Sequence, residues 1–366
     1  MDMETLKKPT YRKGQTEAIF RDLRRDAMLI KATMESRKRF EIQFKAFFFP
    51  LLYVGCWLAA LQWGHAPWVH YTAYLCMGVL LVLIYLNVIH DAVHHTIFRR
   101  KWMNEAFVYF FDIMGANSFI WKNRHVRFHH NYPNVNGWDT DIEQSPLARV
   151  YPHGSYSRFH KYQHIYLPFM YPLFLFNWLI VRDFKDFFSR KKIVRKLVHI
   201  PTVEYVKLFF FKALFFAYMI FIPKYVLDIS WGQVIGAFVA MVFTASIFAL
   251  MVLLPPHANT DNDFPLPGED GSLPNNWFEH MLRTTNDVTH DNWFIRFFMG
   301  SFNYHVVHHL FPNINHVFYP AITKKFEEYV RDYKLPYRKL TLARALKNHY
   351  FLLKQNRAES IWEEDM

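Results

Sequence analysis

Three imidazoles crowd into five positions of "NYHVVHHLFP", residues 303–312: His305, His308 and His309. On an α-helix, positions i, i+3 and i+4 share a face, so these rings can converge on one point. Two other stretches repeat the device. "NVIHDAVHHTIF" sets His90 and His94 at i, i+4 with His95 adjacent, and "WKNRHVRFHHNYPN" sets His125 and His129 at i, i+4 followed by His130. "LLPPHANTD" adds His257 and "WFEHML" adds His280. Imidazole is a good ligand for iron, zinc, copper and nickel, so spacings of this kind point to metal. A single zinc takes four ligands, and eight or nine histidines suggest two metals.

The elements that must position these histidines are membrane spans. The chain of 366 residues is 52% hydrophobic and 19% aromatic, with the apolar residues segregated into runs. Four runs are long enough to cross a bilayer, at 46–63, 68–89, 206–223 and 233–254, the third containing Lys207 and Lys212. A fifth run, 164–181, is interrupted by Pro168 and Pro172, which would break helical hydrogen bonds in lipid. Every histidine cluster falls at the end of a span or outside one. For them to meet, the number of crossings between His130 and His257 must be even, so 164–181 is expected to lie in the interface rather than cross.

The net charge of +12 is concentrated at 7–45, 99–101 and 182–196, stretches that the positive-inside rule places in the cytoplasm. Such a surface suits anionic headgroups, a coenzyme A phosphate or an acidic electron carrier. Nucleic acid is excluded as a partner because the charge lies beside spans. The first 45 residues are polar and basic, unlike a signal peptide, so the N-terminus is expected in the cytosol. Cys56 and Cys76 sit inside apolar runs and read as packing residues. No repeat or flexible linker divides the chain, and a single domain over 1–366 is expected.

In order and placement, "HDAVH", "HVRFHH" and "HVVHH" resemble the three histidine boxes of the membrane fatty acid desaturase family. "WKNRHVRFHHNYPNVNGWDTDIE", "HKYQHIY", "LRTTNDV" and "NYHVVHHLFPNINHVFYP" extend the likeness to bacterial acyl-CoA and acyl-lipid desaturases related to linoleoyl-CoA and front-end enzymes. It covers about residues 20–335. His305 departs from the front-end relatives, which usually carry glutamine there. No "HPGG" haem-binding stretch occurs, so electrons are expected from a separate donor such as ferredoxin or cytochrome b5.

The resemblance implies an all-α integral membrane protein. Four transmembrane helices would carry a cytosolic helical cap around a histidine-ligated di-iron site, in a bacterial inner membrane. It implies two iron ions, O2 as co-substrate, and the insertion of a C=C bond into a fatty acyl chain carried by coenzyme A, acyl carrier protein or a glycerolipid. The implied ligands are His90, His94, His125, His129, His130, His257, His305, His308 and His309, with no catalytic residue beyond them. His257 corresponds to the extra histidine that such enzymes carry after the last span. His95 is left out, because relatives often have glycine there.

Ligating imidazoles pass their other N–H to a carboxylate or carbonyl. Asp91, Asp139 and Asp141 lie beside the boxes and are candidates for that role, with His280 and Asn303 as further second-layer candidates. The remaining histidines, among them His70, His160, His164, His316 and His349, are expected at surfaces or interfaces. A hydroxylase, ketolase or acetylenase would share the boxes and differ in the fate of the substrate after the first hydrogen is removed.

Overall fold

The computed structural model describes residues 7–143 and 145–358, so the ends of the expected 1–366 domain lie outside the described residues. The apolar runs form α1 (Glu17–Trp63), α2 (Pro67–Val93), α3 (Thr202–Leu227) and α4 (Trp231–Leu253), each long and apolar enough to cross a membrane. Even α4, with 23 residues, reaches about 34 Å against the roughly 30 Å hydrocarbon core. Beyond α4 follow α5 (Trp277–Thr284), α6 (His305–Leu310), α7 (Tyr319–Tyr333) and α8 (Leu342–Gln355). One parallel pair of two-residue strands, β1 (Asp287–Val288) and β2 (Lys339–Leu340), ties the start of α8 to the loop before α6.

Helix α1 starts far upstream of the expected boundary at residue 46. Its basic N-terminal half places Leu23, Ala27, Ile30 and Met34 on one helical stripe, which packs into the main core while the charged residues stay outside. Asp26 fastens this half to α7 by accepting a hydrogen bond from the Tyr329 hydroxyl at 2.9 Å. In the bundle α2 packs between α1 and α4. At Gly78 the approach to α4 is so close that a Cβ would lie 2.5 Å from the Met241 carbonyl oxygen, which leaves room only for glycine.

Trp63, Trp68, Tyr225 and Trp231, all exposed, mark the tips of the α1–α2 and α3–α4 hairpins. Amphipathic aromatics are favoured at a membrane interface. His90 and His257 lie at the opposite ends of α2 and α4, so the histidines gather on the other side of this belt.

The segment Arg158–Leu197 also has the length and composition of a span. It is a chain of short α, 3-10 and π pieces rather than one helix; the α piece Gln163–Met170 runs through Pro168, contrary to expectation, and gives way to a 3-10 turn, Tyr171–Leu173, at Pro172. It is tied at two places to the one stretch 124–149. At the first His160 Nε2 donates to the Pro146 carbonyl (2.8 Å), and the Gln163 amide bridges the backbone N–H and C=O of Arg149. At the second Arg182 donates to the Thr140 carbonyl, and Asp186 accepts from Arg124 at 3.3 Å.

Lys212, an oddity in an apolar run, has a partner. Its ammonium sits 2.7 Å from Asp183 in this segment and donates to the Gly115 carbonyl at 2.6 Å, with both charged side chains almost fully buried. Removing one member leaves the other charge buried and alone, at about 3–5 kcal/mol. Asp183→Asn should therefore lower the melting temperature of the detergent-solubilised protein, and Asp183→Asn with Lys212→Met should recover most of the loss. An unchanged melting temperature in the single variant would show that the pair carries no such load.

Candidate metal centre

Near its end α2 abandons α geometry. Tyr85–Ile89 widen into a π turn, and His90 begins the final α turn. Asn87 braces this turn by donating its side-chain amide to the carbonyls of Leu83 and Phe298, at 2.9 and 2.7 Å. A second π-helix, Asn123–His129, carries the next cluster, and the His130 N–H bonds the His125 carbonyl at 2.9 Å. In π geometry the hydrogen bonds link i to i+5. His125 and His130 therefore come together as an i, i+5 pair, while the rings of His125 and His129 stay stacked at 5.5 Å between centroids, so the expected i, i+4 neighbours also remain side by side.

The nine rings fall into two groups, and a third set, His125, His129 and Asp141, bridges them. One joins His90, His94, His125, His130 and His308, the other His129, His257, His305 and His309. Within each group every ring offers a nitrogen lying within 4.8 Å of the rest. The groups adjoin, since the ring centroids of His130 and His309 are 4.7 Å apart. Helix α6 runs between them: His305 and His309 face one group and His308 the other. The three imidazoles of "HVVHH" thus do not converge on a single point.

Proton positions follow from the partners. His129 Nδ1 donates to Asp139 Oδ1 and His125 Nδ1 to Asp141 Oδ2, both at 2.9 Å, while His257 Nδ1 faces the Thr284 carbonyl at 3.3 Å. In each ring Nε2 is left with a lone pair. His257 Nε2 lies 2.8 Å from His305 Nε2 and 3.1 Å from His309 Nε2, and His125 Nε2 lies 3.1 Å from His130 Nε2. The buried Nε2 atoms of His90, His94 and His308, and Nδ1 of His130, His305 and His309, have no hydrogen-bond partner among the described residues. So many buried ring nitrogens without a partner are foreign to a finished protein interior, and a cation in each group, held by one nitrogen of each ring, would account for their convergence.

Burial also keeps these rings neutral. It holds His94, His125, His130, His305, His308 and His309 well below the usual histidine range, and His257 is pushed down to about 3 by burial and then by His129. His129 is the exception. Burial pulls it down as well, but the Asp139 carboxylate and its hydrogen bond outweigh that and raise it.

The other expected residues divide. Asp139 and Asp141 bond the imidazoles directly. Asp139 is itself fixed by the backbone N–H groups of Asn134, Asp141 and Ile142. Asp91 touches none of the nine rings by hydrogen bond: its carboxylate accepts from His316 Nδ1 (2.5 Å) and from the Asn315 amide (2.7 Å). His280 stands outside both groups and donates Nε2 to the Pro133 carbonyl at 2.9 Å. The Asn303 side chain has no hydrogen-bond partner among the described residues. His95 is exposed with φ +58°, the left-handed conformation that glycine adopts freely.

Several histidines expected at surfaces are buried instead: His70, His160, His164, His316 and His349. His316 links Asp91 to Lys45, whose ammonium is fully buried 2.7 Å from His316 Nε2. Other supports also escaped the sequence. Asn134 donates to the carbonyls of His257, Asp263 and Thr284, joining the second box to the His257 loop. Asp287 accepts the Val306 N–H at 2.7 Å, capping α6 from a distant loop, and also bonds the Tyr337 hydroxyl. A clue did exist in the density of Asn and Asp in "HANTDN" and "TTND", because such side chains commonly pin backbone.

A cavity of about 430 Å³ opens onto the centre, where His125, His129, His257 and His305 form its polar end. The rest of its wall is mainly aliphatic and aromatic, drawn from Arg158–Leu197, the end of α4, and α8.

The link from Asp139 to His129 can be tested without touching a ring. Asp139→Asn places an amide where two carboxylate oxygens collect four N–H groups, and losses of this kind cost about 10–100-fold in metal affinity or activity. Metal content per chain should fall on dialysis against a chelator at concentrations that leave the wild type loaded. Equal retention in the two proteins would remove Asp139 from this role.

A sequence model of the fatty acid desaturase family matches residues 66–341, which include every histidine of both groups. The chain is similar to the sn-1 linoleoyl-lipid 6-desaturase of Arthrospira platensis, 28% identical over 284 residues that cover 78% of this chain and 77% of that protein. It is also 28% identical over 308 residues to the acyl-lipid (8-3)-desaturase of Physcomitrium patens, covering 83% of this chain and 64% of the relative. The corresponding Synechocystis linoleoyl-lipid 6-desaturase is 27% identical over 266 residues, 72% of this chain and 74% of its own length. With a family match over most of the chain and two converging histidine groups inside it, this protein belongs to the fatty acid desaturase family.

Proposed function

We propose that this oxidoreductase is an O2-dependent di-iron desaturase acting on fatty acyl chains held in membrane lipid. The observation that carries the proposal is the pair of histidine groups at the polar end of an apolar cavity, five imidazoles in one and four in the other. His90, His94, His125, His130 and His308 would hold one iron, and His129, His257, His305 and His309 the second. The chemistry that such a centre supplies is the O2-dependent removal of two hydrogens from neighbouring CH2 groups.

The chain's own residues do the rest. Asp139 and Asp141 accept hydrogen bonds from the Nδ1–H groups of His129 and His125 and so aim Nε2 inward. The apolar wall excludes water and aligns an extended hydrocarbon, trading solvent for packed side chains at about 0.8 kcal/mol per buried CH2. Leu147, Leu173 and Ile180 line the cavity and are also substantially exposed, so they mark its rim. An apolar rim favours an acyl chain arriving sideways from the bilayer, as the names of the relatives also suggest. The exposed basic surface would receive a separate acidic electron donor of the ferredoxin or cytochrome b5 kind.

Four spans, α1 to α4, with both termini and the centre in the cytosol, complete the proposal for a bacterial inner-membrane protein. It is supported by the attachment of Arg158–Leu197, at His160 and again at Arg182 and Asp186, to the one stretch 124–149. Cysteines introduced near His160 and Arg182 should label from the same side of the membrane. Labelling from opposite sides would make the segment a fifth span and overturn this topology.

Expression in a desaturase-free host should give a new unsaturated fatty acid by mass spectrometry, and the purified protein should contain about two irons per chain. His308→Ala or His309→Ala should abolish the product and lower the iron content while leaving the protein inserted. His305→Gln should retain partial activity, since an amide oxygen can replace the ring nitrogen as a donor atom, and His305→Ala should lose nearly all of it. A hydroxylated product would move the assignment to the hydroxylases. One zinc and no iron would end it.

A further inference from the structure

Beside the main cavity lies a second space of about 80 Å³, between α2, α4, Phe215 of α3 and the segment Phe174–Leu179, lined by aliphatic and aromatic side chains, among them Met114, Phe215, Val242 and Ala249. Tyr85, Phe174, Trp178 and Leu253 line both spaces, so these four side chains form the partition between them. The partition is unusually well fixed at Trp178. Its indole packs against two guanidinium groups, with the central carbon of Arg124 at 4.9 Å and that of Arg182 at 4.8 Å from the ring centroid, and both also donate to the Thr140 carbonyl. Phe111 and Phe174 meet it edge to face, at 5.8 and 5.9 Å. Stacked guanidinium and aromatic planes attract by about 0.5–2 kcal/mol each when desolvated.

Arg124 is fully buried, and it is also the cation that holds Asp141, at 3.0 Å. Asp141 in turn accepts the Nδ1 proton of His125. One guanidinium thus fixes both the partition and a ring of the metal centre, which sets the distance between them. On the reading that an acyl chain fills the main cavity, its polar head is poorly served at this wall, where the Tyr85 hydroxyl and the Trp178 N–H are the polar groups of the four partition side chains and would replace little of its hydration. The methyl end must stop there.

We infer that Trp178 is a specificity-determining residue: it ends the acyl site and limits the length of chain that can extend past the metal centre. Trp178→Ala joins the two voids and admits a few more methylene groups. Discrimination in an apolar pocket runs at about 10–200-fold per methylene. Activity on a chain about two carbons too long for the wild type, relative to its best substrate, should therefore rise about tenfold or more in Trp178→Ala. Ala249→Leu fills the second void alone and should leave the wild-type length profile unchanged, yet cancel the gain when combined with Trp178→Ala.

Length profiles are to be measured in two ways on the full-length protein: by product analysis, and by thermal stabilisation with a series of saturated fatty acids, which does not require turnover. A profile that stays fixed in a folded, metal-loaded Trp178→Ala protein would overturn the inference. So would a shortened profile in Ala249→Leu, which shows that the second void is already in use; that variant decides the matter if Trp178→Ala does not fold. If the wild type desaturates no acyl chain while the binding profile still lengthens in Trp178→Ala, the proposed activity falls and the partition stands.

Discussion

Nine imidazoles packed ring against ring in a buried pocket have to turn a lone pair inward if they are to hold metal, and this constraint organises the molecule. Burial favours the neutral form in all of them but His129, where the Asp139 carboxylate outweighs it. Orientation is supplied from outside the ring of histidines, because an imidazole shows its lone pair on one nitrogen only when the other finds an acceptor. Asp139, Asp141 and the Thr284 carbonyl do this for His129, His125 and His257. Each acceptor is then itself restrained: Asp139 by three backbone N–H groups, Asp141 by Arg124, and the Thr284 carbonyl by the Asn134 amide.

The outer layers of this scheme are ionic, and that decides how the peripheral segment is held. Arg124 and Lys212 anchor Arg158–Leu197 through Asp186 and Asp183. Lys45 and His316 do similar work for Asp91 on the other side of the centre, joining α1 to the turn before α7. Buried charges of this kind contribute little net stability, because desolvation offsets most of the attraction. Their effect is to make misplacement costly, which suits a site assembled from segments far apart in sequence.

Much of this was legible before any coordinates. The apolar runs, the placement of histidines at their ends and the odd Lys212 are features of residue type and spacing, and the structure keeps them close to where they were expected. The division of the histidines into two groups was not legible, because α6 sends His308 one way and His305 and His309 the other, and a π turn sets His130 beside His125. Nor was the burial of His316, since nothing in "NINHVFYP" reveals that Lys45, 271 residues away along the chain, will supply a charge beside it. The length of α1 was missed because a basic stretch reads as solvated, whereas Leu23 and Ala27 repeat at a spacing that a packed helix needs. In each case the missing information is tertiary: a partner, or a backbone geometry imposed by packing.

The π turn at Tyr85–Ile89 has a consequence for how α2 serves two neighbours. Along an unbroken α-helix every side chain is locked in angular phase, about 100° per residue, so the face that meets α1 and α4 would dictate where His90 and His94 point. The wider turn slips that phase between the packing half and the ligand half of one continuous rod. One rod can thereby show its small-residue face at Gly78 to α4 and still turn His90 and His94 toward the centre, two directions that a single α phase would have tied together.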